Sequence, residues 1–321
     1  MFVEAAARLH FGVLDLRGSL GRWFGGIGAA APAPTLLVSA CADDELIVEG
    51  VDAERVSTFA NRFLAHHGVR GGARLVVHRA LPAHAGLGSG TQLALAVARA
   101  LAEIHAIPAD APSLARAVGR GARSAIGTWT FAGGGLVVDG GRRHGSDAVA
   151  PLVARLPFPP EWRCIVAIPD AAPMISGEAE EAAFGQLAPP SDHDVEHVAH
   201  VVLLGLLPAL AEGDLTSFGA ALSTIQSMNG RWFESIQGGT FVPGPTAELV
   251  RRMTEWGATG VGQSSWGPSV YGIVEGDEAA RRVADRVRNE LGSAGTVYEG
   301  PFRTDGASVW RAPIAREMTR S

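Results

Sequence analysis

The chain has 321 residues, of which 47% are hydrophobic and 19% are charged. This balance predicts a well-filled folded protein of one large or two modest domains and excludes a disordered chain. The net charge of -6 is spread along the chain without long runs, so we expect no nucleic-acid partner. All 27 basic residues are arginine. The absence of lysine excludes a phosphate-loop lysine and a Schiff-base lysine, and with the latter pyridoxal phosphate (PLP) as a cofactor.

The expected compartment is the cytoplasm, with no membrane partner. The N-terminal sequence MFVEAAARLHFG lacks the basic and then apolar pattern of a secretory signal. The longest apolar run, residues 198–210, contains Gly205 and Pro208 and is too short to span a bilayer. Cys41 and Cys164 match no zinc or redox spacing, which is typical of two free thiols in a reducing compartment.

Hydrophobic periodicity predicts an α+β protein with a domain boundary near the segment PFPP at 157–160. In the first half the pattern predicts helices at 54–67, 89–105 and 113–121 and strands at 74–79 and 135–139. In the second half it predicts strands at 162–169 and 295–299, helices at 193–212, 214–228, 246–256 and 277–291, and a loop at 260–269 that leads into a strand. Neither half alternates strand and helix regularly, so both halves, 1–157 and 158–321, are predicted to be α+β domains.

Three glycine-rich segments are candidates for a ligand site. The first, HAGLGSGTQ at 84–92, runs from a predicted strand into a helix. Backbone N–H groups and the helix dipole favour an anion at such a helix start. The same residues also fit an ordinary strand-to-helix turn in which Ser89 caps the helix. The loop lacks the Gly-Lys-Ser/Thr of a Walker A motif.

The other two segments leave a functional and a structural interpretation open. The segment VGQSSWGPSVYGI at 261–273 either lines a site or is an ordinary connection before a strand. The segment RLHFGVLDLRGSLGRWFGGIG at 8–28 is dense in turn residues and charge. Within it, His10 is either a satisfied core residue or a functional one. Asp15 is either a salt-bridge partner of the nearby arginines or a functional carboxylate.

Together the three segments resemble the GHMP kinase superfamily, which comprises the galacto-, homoserine, mevalonate and phosphomevalonate kinases. The central motif of that superfamily, Pro-x-x-x-Gly-Leu-Gly-Ser-Ser-x-Ala, corresponds to PAHAGLGSG at 82–90. The resemblance covers nearly the whole chain. It implies a GHMP-kinase-like two-domain fold, with an N-terminal half like domain 2 of ribosomal protein S5 and a C-terminal ferredoxin-like α/β sandwich.

The chain departs from the kinases where they carry catalytic carboxylates. After the central helix the kinases have Ser-Gly-hydrophobic-Asp, whose Asp takes the proton from the attacking hydroxyl. Here the sequence is SAIG at 124–127, so Gly127 stands at the carboxylate position. The glutamate that binds Mg²⁺ in the kinases is expected where this chain has Arg116, with Arg120 and Arg123 close by. Positive charge at these positions predicts that phosphoryl transfer from ATP is lost.

Four segments resemble more narrowly the β-ribofuranosylaminobenzene 5′-phosphate synthases, a non-kinase branch of the superfamily. They are RLHFGVLDLRGSLGRWFGGIG, GLGSGTQ, GRGARSAIGTWTFAGGGLVVDGG and GQSSWGPSVYG, which span residues 8–273. This branch acts in methanopterin biosynthesis, in methanogens and in bacteria that oxidise one-carbon compounds through tetrahydromethanopterin. An alanine- and arginine-rich chain without lysine is more typical of the bacterial group.

The resemblance implies condensation of phosphoribosyl pyrophosphate with 4-aminobenzoate or 4-hydroxybenzoate, with release of CO₂ and pyrophosphate. It implies that Asp15 stabilises the developing ribosyl cation and that His10 relays a proton or orients a substrate. Arg123 would neutralise leaving-group charge or hold a carboxylate. Trp129 or Trp266 either stacks on the benzoate ring or belongs to the core. The implied substrate- and phosphate-binding residues are Arg8, Gly25, Gly26, Gly86, Leu87, Gly88, Ser89, Gly90, Thr91, Gln92, Arg120, Ser124, Gln263, Ser264, Ser265 and Trp266.

Mg²⁺ is expected with the pyrophosphate of the substrate, and the sequence names no complete set of protein ligands for it. A homodimer is also expected. One alternative is a kinase with rearranged carboxylates, in which Asp139 or Asp170 is the base. A second alternative is a non-catalytic member that binds a phosphorylated metabolite. The fold of ordinary phosphoribosyltransferases is discounted, because Asp43 and Asp44 are not followed by the Thr-Gly loop of those enzymes.

Overall fold

The computed structural model describes residues 1–171 and 178–311. Its strands are β1 (Phe2–Asp15), β2 (Arg22–Asp43), β3 (Leu46–Gly50), β4 (Gly72–Arg79), β5 (Leu136–Asp139), β6 (Arg142–Arg143), β7 (Leu152–Leu156), β8 (Trp162–Pro169), β9 (Thr259–Gln263), β10 (Val270–Glu275), β11 (Gly295–Pro301) and β12 (Ser308–Trp310). Its helices are α1 (Ala53–His67), α2 (Ser89–Ile104), α3 (Ala111–Ala117), α4 (Ile126–Gly133), α5 (Glu178–Gln186), α6 (Asp192–Val201), α7 (Leu207–Glu212), α8 (Leu215–Gln237), α9 (Pro245–Glu255) and α10 (Asp277–Leu291). Residues Val202–Leu206 form a π-helical turn between α6 and α7.

The first half of the chain is built on a sheet that holds β12, β1, β2, β4 and β3 in that order. The long strands β1 and β2 pair antiparallel from Phe2 opposite Ser39 to Asp15 opposite Phe24. Buried residues alternate along the first part of β1, because successive side chains of a strand point to opposite faces. Helix α2 covers the buried face of β1 and β2, and α1 packs beside it.

The second half is built on a four-stranded antiparallel sheet with the order β11, β8, β10, β9. Helices α9 and α10 pack on this sheet through an apolar cluster that includes Ile165, Met253 and Val283. Helix α8 packs along β9 and also contacts β1 of the first half. Strand β12 returns to the first sheet and pairs with β1.

The contact between the two halves is fixed by two amide side chains of α8. Asn229 accepts the backbone N–H of Val13 and donates to the carbonyl of the same residue. Gln226 donates to the carbonyl of Phe11 and accepts the backbone N–H of Gln263. One hydrophobic core extends through both halves around this contact. Helix α8 therefore holds β1 of the first half against β9 of the second.

The α+β prediction is confirmed, and most predicted elements are present within a few residues of their expected bounds. Residues 8–28 differ from the expectation of a turn-rich segment, because most of them form the facing ends of β1 and β2. Gly28 permits this pairing, since a Cβ there would lie 2.3 Å from the carbonyl oxygen of Leu9. Residues 259–263 are a strand where a loop was expected, and α8 continues to Gln237. The domain boundary near residue 157 stays a prediction.

The helical residues from Asp192 to Glu212 are long and apolar enough to cross a membrane by length and composition alone. The predicted apolar run at 198–210 is shorter, because the helix continues beyond it on both sides. Core helices of soluble proteins pass the same test. This stretch contributes Val198, Val202 and Leu206 to the core and packs against α8. The absence of a membrane partner stays a prediction.

Candidate active site

A cavity of about 560 Å³ lies where the two halves meet, between β1, the N-terminus of α2, α8 and the loop after β9. Its volume suits a small-molecule ligand. The basic residues among its lining are Arg8, Arg55, Arg120, Arg123, His10 and His84. None of its described lining residues carries a carboxylate. The cavity is therefore suited to a ligand with several negative charges.

The N-terminus of α2 forms one end of this cavity. Gly88 caps the helix with a φ of 74°, in the left-handed region that favours glycine. A Cβ at Gly90 would lie 3.2 Å from Nη2 of Arg55 and 3.3 Å from Nη2 of Arg120, so both guanidinium groups stand at the helix start. The first N–H groups of a helix have no partner within the helix. We call this place, with Arg55, Arg120 and residues 88–91, the phosphate end.

Arg120 lies at the phosphate end, where its environment destabilises the charged guanidinium. Burial, and then the positive charges of Arg55, Arg62 and Arg123, lower the pKa of its guanidinium. The guanidinium lies over the ring of Phe59, 4.9 Å from the ring centre. Its buried Nε has no hydrogen-bond partner among the described residues. A bound anion would relieve both the repulsion and the unsatisfied donor.

His10 lies on β1 between the phosphate end and the loop after β9. Its backbone N–H donates to Oγ of Ser264 at 3.0 Å, and its Nε2 lies 3.3 Å from Oγ of Ser124. Burial, and then the charge of Arg8, lowers the pKa of His10 from 6.5 to about 3. The imidazole is therefore neutral near pH 7, which favours the predicted orienting role over a proton relay.

The glycine loop of the first half contacts the serine loop of the second half directly. Oγ of Ser264 donates to the carbonyl of Gly86 at 2.8 Å, and the guanidinium of Arg8 donates to the same carbonyl. Gly86 has a φ of 74°, and a Cβ there would lie 2.1 Å from the carbonyl oxygen of Ser264. Only glycine fits this position, because a side chain would be strained in φ and would also overlap backbone.

Gly127 lies on α4 at the position where the kinases carry their base. Gly127 lines the cavity, as the resemblance to the kinases led us to expect. A Cβ at this position would lie 2.9 Å from Cγ2 of Thr91 and 3.3 Å from Cβ of the same residue. The side chain of Thr91 would therefore have to shift to admit an aspartate there. Arg116, by contrast, is exposed on α3 and does not line the cavity.

Asp139 ends β5 and is fully buried outside the cavity lining. Its carboxylate accepts the backbone N–H groups of Ala125 and Gly141, each at 3.0 Å, and that of Gly26. Burial raises its pKa to about 6, and the three hydrogen bonds oppose part of that rise. Asp139 thus ties the loop before α4 to the β1–β2 pair. Neither Asp139 nor the exposed Asp170 lines the cavity, so neither is placed to act as a kinase base.

We expect Asp139 to give the protein a stability that falls as pH rises. Its pKa is higher in the folded protein than the ordinary 3.8, so its stabilising contribution is full below that value and is lost as pH rises through about 6. Between about pH 7 and about pH 5 the free energy of unfolding of the wild type should gain about 1 kcal/mol relative to Asp139→Asn. Urea unfolding of both proteins at the two pH values measures this difference. If the free energies of unfolding of the wild type and of Asp139→Asn differ by the same amount at both pH values, Asp139 does not have a raised pKa.

Most of the predicted site residues line the cavity. They are Arg8, His10, Gly25, Gly86, Leu87, Gly88, Ser89, Gly90, Thr91, Arg120, Arg123, Ser124, Gln263, Ser265 and Trp266. The indole of Trp129 lies outside this lining and donates to the carbonyl of Ala150, so Trp266 is the one of the two stacking candidates that faces the cavity.

Four predicted site residues lie outside the lining, and each has a structural contact instead. The carboxylate of Asp15 accepts the N–H groups of residues 17 and 18 and closes the turn after β1. Gln92 donates to the carbonyl of Gly127 and joins α2 to α4. Ser264 joins the two loops as described above. Gly26 lies against Asp139. Whether these four residues contact the substrate stays a prediction.

Several lining residues were missed from the sequence. Arg55 lies on the polar face of α1, where a charged side chain has the pattern of a solvated one. Phe24, Phe184 and Phe233 line the cavity, but they are far apart in the sequence. Gln226 and Asn229 also line it from α8. No spacing marks these residues, because the long-range packing of α8 on β1 brings them together.

The cavity does not offer a Mg²⁺ ion the ligands it prefers. Mg²⁺ is bound in proteins through carboxylates together with water and substrate phosphates. The described lining has no carboxylate, and no group of three or more potential metal-ligating side chains occurs among the described residues. We therefore derive no step through a protein-bound metal. The expected Mg²⁺ would belong to the pyrophosphate of the substrate and stays a prediction.

Comparisons with known proteins agree with this fold. The models for the GHMP kinases N terminal domain and the GHMP kinases C terminal match residues 54–134 and 206–293. A beta-ribofuranosylphenol 5′-phosphate synthase from Methanothermobacter thermautotrophicus is 35% identical over 322 residues, which cover 94% of this chain and 96% of the relative. A synthase of the same name from Archaeoglobus fulgidus is 36% identical, with 85% and 87% covered. The structure of the phosphomevalonate kinase of Streptococcus pneumoniae is similar with a TM-score of 0.70 at 14% identity, covering 94% of this chain and 99% of that one.

The fold and the glycine loop at the start of α2 define a protein of the GHMP kinase superfamily. Within that superfamily, the chain belongs to the family of the beta-ribofuranosylphenol 5′-phosphate synthases. The resemblance to the non-kinase branch is thus confirmed. The relatives are named for a ribofuranosylphenol and not for a ribofuranosylaminobenzene.

Proposed function

We propose that this protein condenses phosphoribosyl pyrophosphate with a 4-substituted benzoate, releases CO₂ and pyrophosphate, and leaves a carbon–carbon bond between ribose and ring. The observation that carries the proposal is the cavity lined by four arginines and by no carboxylate among its described residues. Both substrates are anions, which such a lining attracts. A small-molecule kinase would need a carboxylate base and Mg²⁺ ligands at the same place.

The proposed reaction involves no net proton transfer. The bond between the anomeric carbon and the diphosphate breaks, and its electron pair leaves on pyrophosphate. The ring carbon that bears the carboxylate gives a π-electron pair to the anomeric carbon. The bond to the carboxyl carbon then returns a pair to the ring as CO₂ departs. Catalysis therefore consists of positioning and of electrostatic stabilisation, which arginines and backbone N–H groups can supply.

We propose that 4-hydroxybenzoate is the preferred benzoate. A phenol product retains the hydroxyl group of the benzoate, and the family relatives are named for a phenol. The hydroxyl group donates electrons to the ring carbon para to it, which is the carbon that bears the carboxylate. Competition between equimolar 4-hydroxybenzoate and 4-aminobenzoate, with both products quantified by mass spectrometry, tests this preference.

The test of the reaction is release of ¹⁴CO₂ from carboxyl-labelled 4-hydroxybenzoate or 4-aminobenzoate by purified protein with phosphoribosyl pyrophosphate and Mg²⁺. We expect release that requires both substrates, with pyrophosphate formed in equal amount. Protein that is folded by circular dichroism but releases no label with either acid would contradict the proposal. ATP and a panel of small alcohols, assayed in parallel, would then detect the kinase alternative.

His10 gives a second test, through the pH dependence of this reaction. We expect kcat/KM to show no acid limb from His10 between about pH 5 and about pH 8, because its lowered pKa keeps the imidazole neutral. His10→Gln should keep activity within about tenfold, whereas loss of a general acid or base costs about 10²- to 10⁴-fold. An acid limb near the ordinary histidine pKa that disappears in the variant would show a proton relay instead.

The remaining expectations about partners and location are proposals as well. We propose a homodimer, a cytoplasmic location, and no nucleic-acid or membrane partner. The helical residues 192–212 expose Leu203 and Leu204, which are 60% and 71% exposed. Sedimentation of the wild type and of Leu204→Gln would show whether this surface joins two copies.

A further inference from the structure

One wall of the cavity is formed by four aromatic side chains from four separate elements. They are Phe24 of β2, Phe184 of α5, Phe233 of α8 and Trp266 of the loop after β9. We call this set the aromatic wall. Four of the ring pairs meet edge to face. The distances between ring centres are 5.5 Å for Phe24 with Phe184, 5.8 Å for Phe184 with Phe233, 5.8 Å for Phe184 with Trp266 and 5.0 Å for Phe233 with Trp266. Such pairs stabilise one another and leave ring faces and edges for a further ring.

The backbone conformation of Phe24 indicates that the aromatic wall is part of a ligand site and not only of the hydrophobic core. Phe24 has a φ of 72°, a left-handed conformation that is an outlier for a bulky residue. Conformations of this kind persist only where the surrounding structure holds them, and they cluster at ligand sites. The three phenylalanines are only partly buried and line the cavity, although apolar residues of this size usually lie in the core.

Three amide side chains of the cavity lining, from α8 and β9, are occupied by hydrogen bonds to the backbone. The amides of Gln226 and Asn229 are bonded to the backbone of β1 and β9. The side chain of Gln263 accepts the N–H of Val242 and donates to the carbonyl of Ser265. These side chains bring no charge to the cavity. The guanidinium cluster, by contrast, stands at the phosphate end.

Arg123 and His10 lie between the two ends. Cζ of Arg123 is 5.8 Å from the ring centre of Phe184, and Arg123 is close enough to Arg120 for their charges to interact. Ser265, which precedes Trp266, donates its backbone N–H to the carbonyl of His10. The cavity thus runs from the phosphate end, past Arg123 and His10, to the aromatic wall.

We infer that the aromatic wall is the subsite for the benzoate ring, with Arg123 beside the carboxylate-bearing carbon, and that the phosphate end holds the diphosphate of the ribosyl donor. This inference rests on the proposed function and assigns its two substrates to opposite ends. The arrangement matches displacement at the anomeric carbon, where the ring must approach from the side opposite to the departing diphosphate. The 4-substituent then points away from the reaction centre along the wall.

The experiment compares Trp266→Leu and Phe233→Leu with the wild type in two assays. Calorimetry measures binding of 4-hydroxybenzoate without the second substrate, and steady-state ¹⁴CO₂ release measures KM for each substrate. We expect both variants to weaken binding of 4-hydroxybenzoate by about tenfold or more, because each removes an aromatic contact. KM for phosphoribosyl pyrophosphate should stay unchanged. Trp266→Phe should restore part of the loss.

Trp310→Leu is the matched control, because Trp310 is partly exposed, stacks on Phe2 and does not line the cavity. It should bind both substrates like the wild type. Thermal unfolding of every variant separates loss of binding from loss of fold. Cyclohexanecarboxylate, which has the same charge but no aromatic ring, should bind the wild type more weakly than benzoate.

The outcomes separate the subsite from the reaction. If the wild type turns over and the folded variants Trp266→Leu and Phe233→Leu bind 4-hydroxybenzoate as the wild type does, the proposed subsite is wrong. The proposed reaction would then still stand. Wild-type binding of 4-hydroxybenzoate that depends on the aromatic wall, without release of CO₂, would support the subsite and contradict the proposed reaction. Absence of both binding and turnover in folded wild type would contradict both.

Discussion

Arg120→Met is expected to lower kcat/KM for the condensation by about 10²- to 10³-fold, the loss typical of removing a group that stabilises developing charge. The variant removes a guanidinium at the N-terminus of α2, where we propose that the diphosphate departs. Methionine retains an apolar stem over the ring of Phe59, so the packing of α1 is preserved. Steady-state ¹⁴CO₂ release with each substrate varied measures the effect.

The same variant separates a functional role of Arg120 from a structural one. Without ligand, Arg120→Met should be at least as stable as the wild type, because it removes repulsion with Arg55, Arg62 and Arg123. Pyrophosphate should then raise the unfolding temperature of the wild type and not that of the variant. Arg116→Met is the matched control, since Arg116 is exposed outside the cavity. An equal loss of activity in both variants would contradict the assignment.

Gly86→Ala is expected to lower the free energy of unfolding by about 2 to 4 kcal/mol and to reduce activity severely. The added Cβ would require a φ of 74° in a residue that disfavours it. It would also lie 2.1 Å from the carbonyl oxygen of Ser264, and backbone cannot give way as a flexible side chain can. The two loops would separate, and the hydrogen bonds that Ser264 and Arg8 donate to Gly86 would be lost.

Gly145→Ala isolates the conformational part of this effect. Gly145 has a φ of 68°, close to that of Gly86, but a Cβ there would meet nothing within 4 Å. We expect a loss of about 1 kcal/mol from backbone strain alone, with activity retained. Denaturant unfolding of both variants measures the difference. Equal losses in the two would show that overlap with Ser264 contributes nothing.

The sequence predicted those parts of the site that depend on local chemistry. A loop with glycines at 86, 88 and 90 before an apolar helix has a physical reason to bind an anion, and it lies in the cavity. The replacement of a carboxylate by Gly127 likewise predicted the lost kinase base, and the crowding by Thr91 agrees with that prediction. In both cases the information is contained in a few adjacent residues.

The sequence left the role open where a residue type has two common uses. Asp15 is a carboxylate in a segment rich in arginine, and it closes a turn through backbone N–H groups. Asp139 is buried within an apolar strand and binds three such groups. Of the aromatic wall only Trp266 was expected from the sequence, because the three phenylalanines come from β2, α5 and α8. Their meeting depends on how the two sheets pack, which no short window of sequence contains.

The amide contacts of α8 have a consequence for how the protein loses its structure. Asn229 and Gln226 bind the backbone of β1 from the other half, and one core runs through both halves. Opening the cavity widely would therefore break these side-chain-to-backbone hydrogen bonds and expose core at the same time. The two halves are coupled in unfolding, so a ligand that touches both protects the whole chain from heat and from proteases. A bound ligand would in this way also lengthen the lifetime of the folded protein.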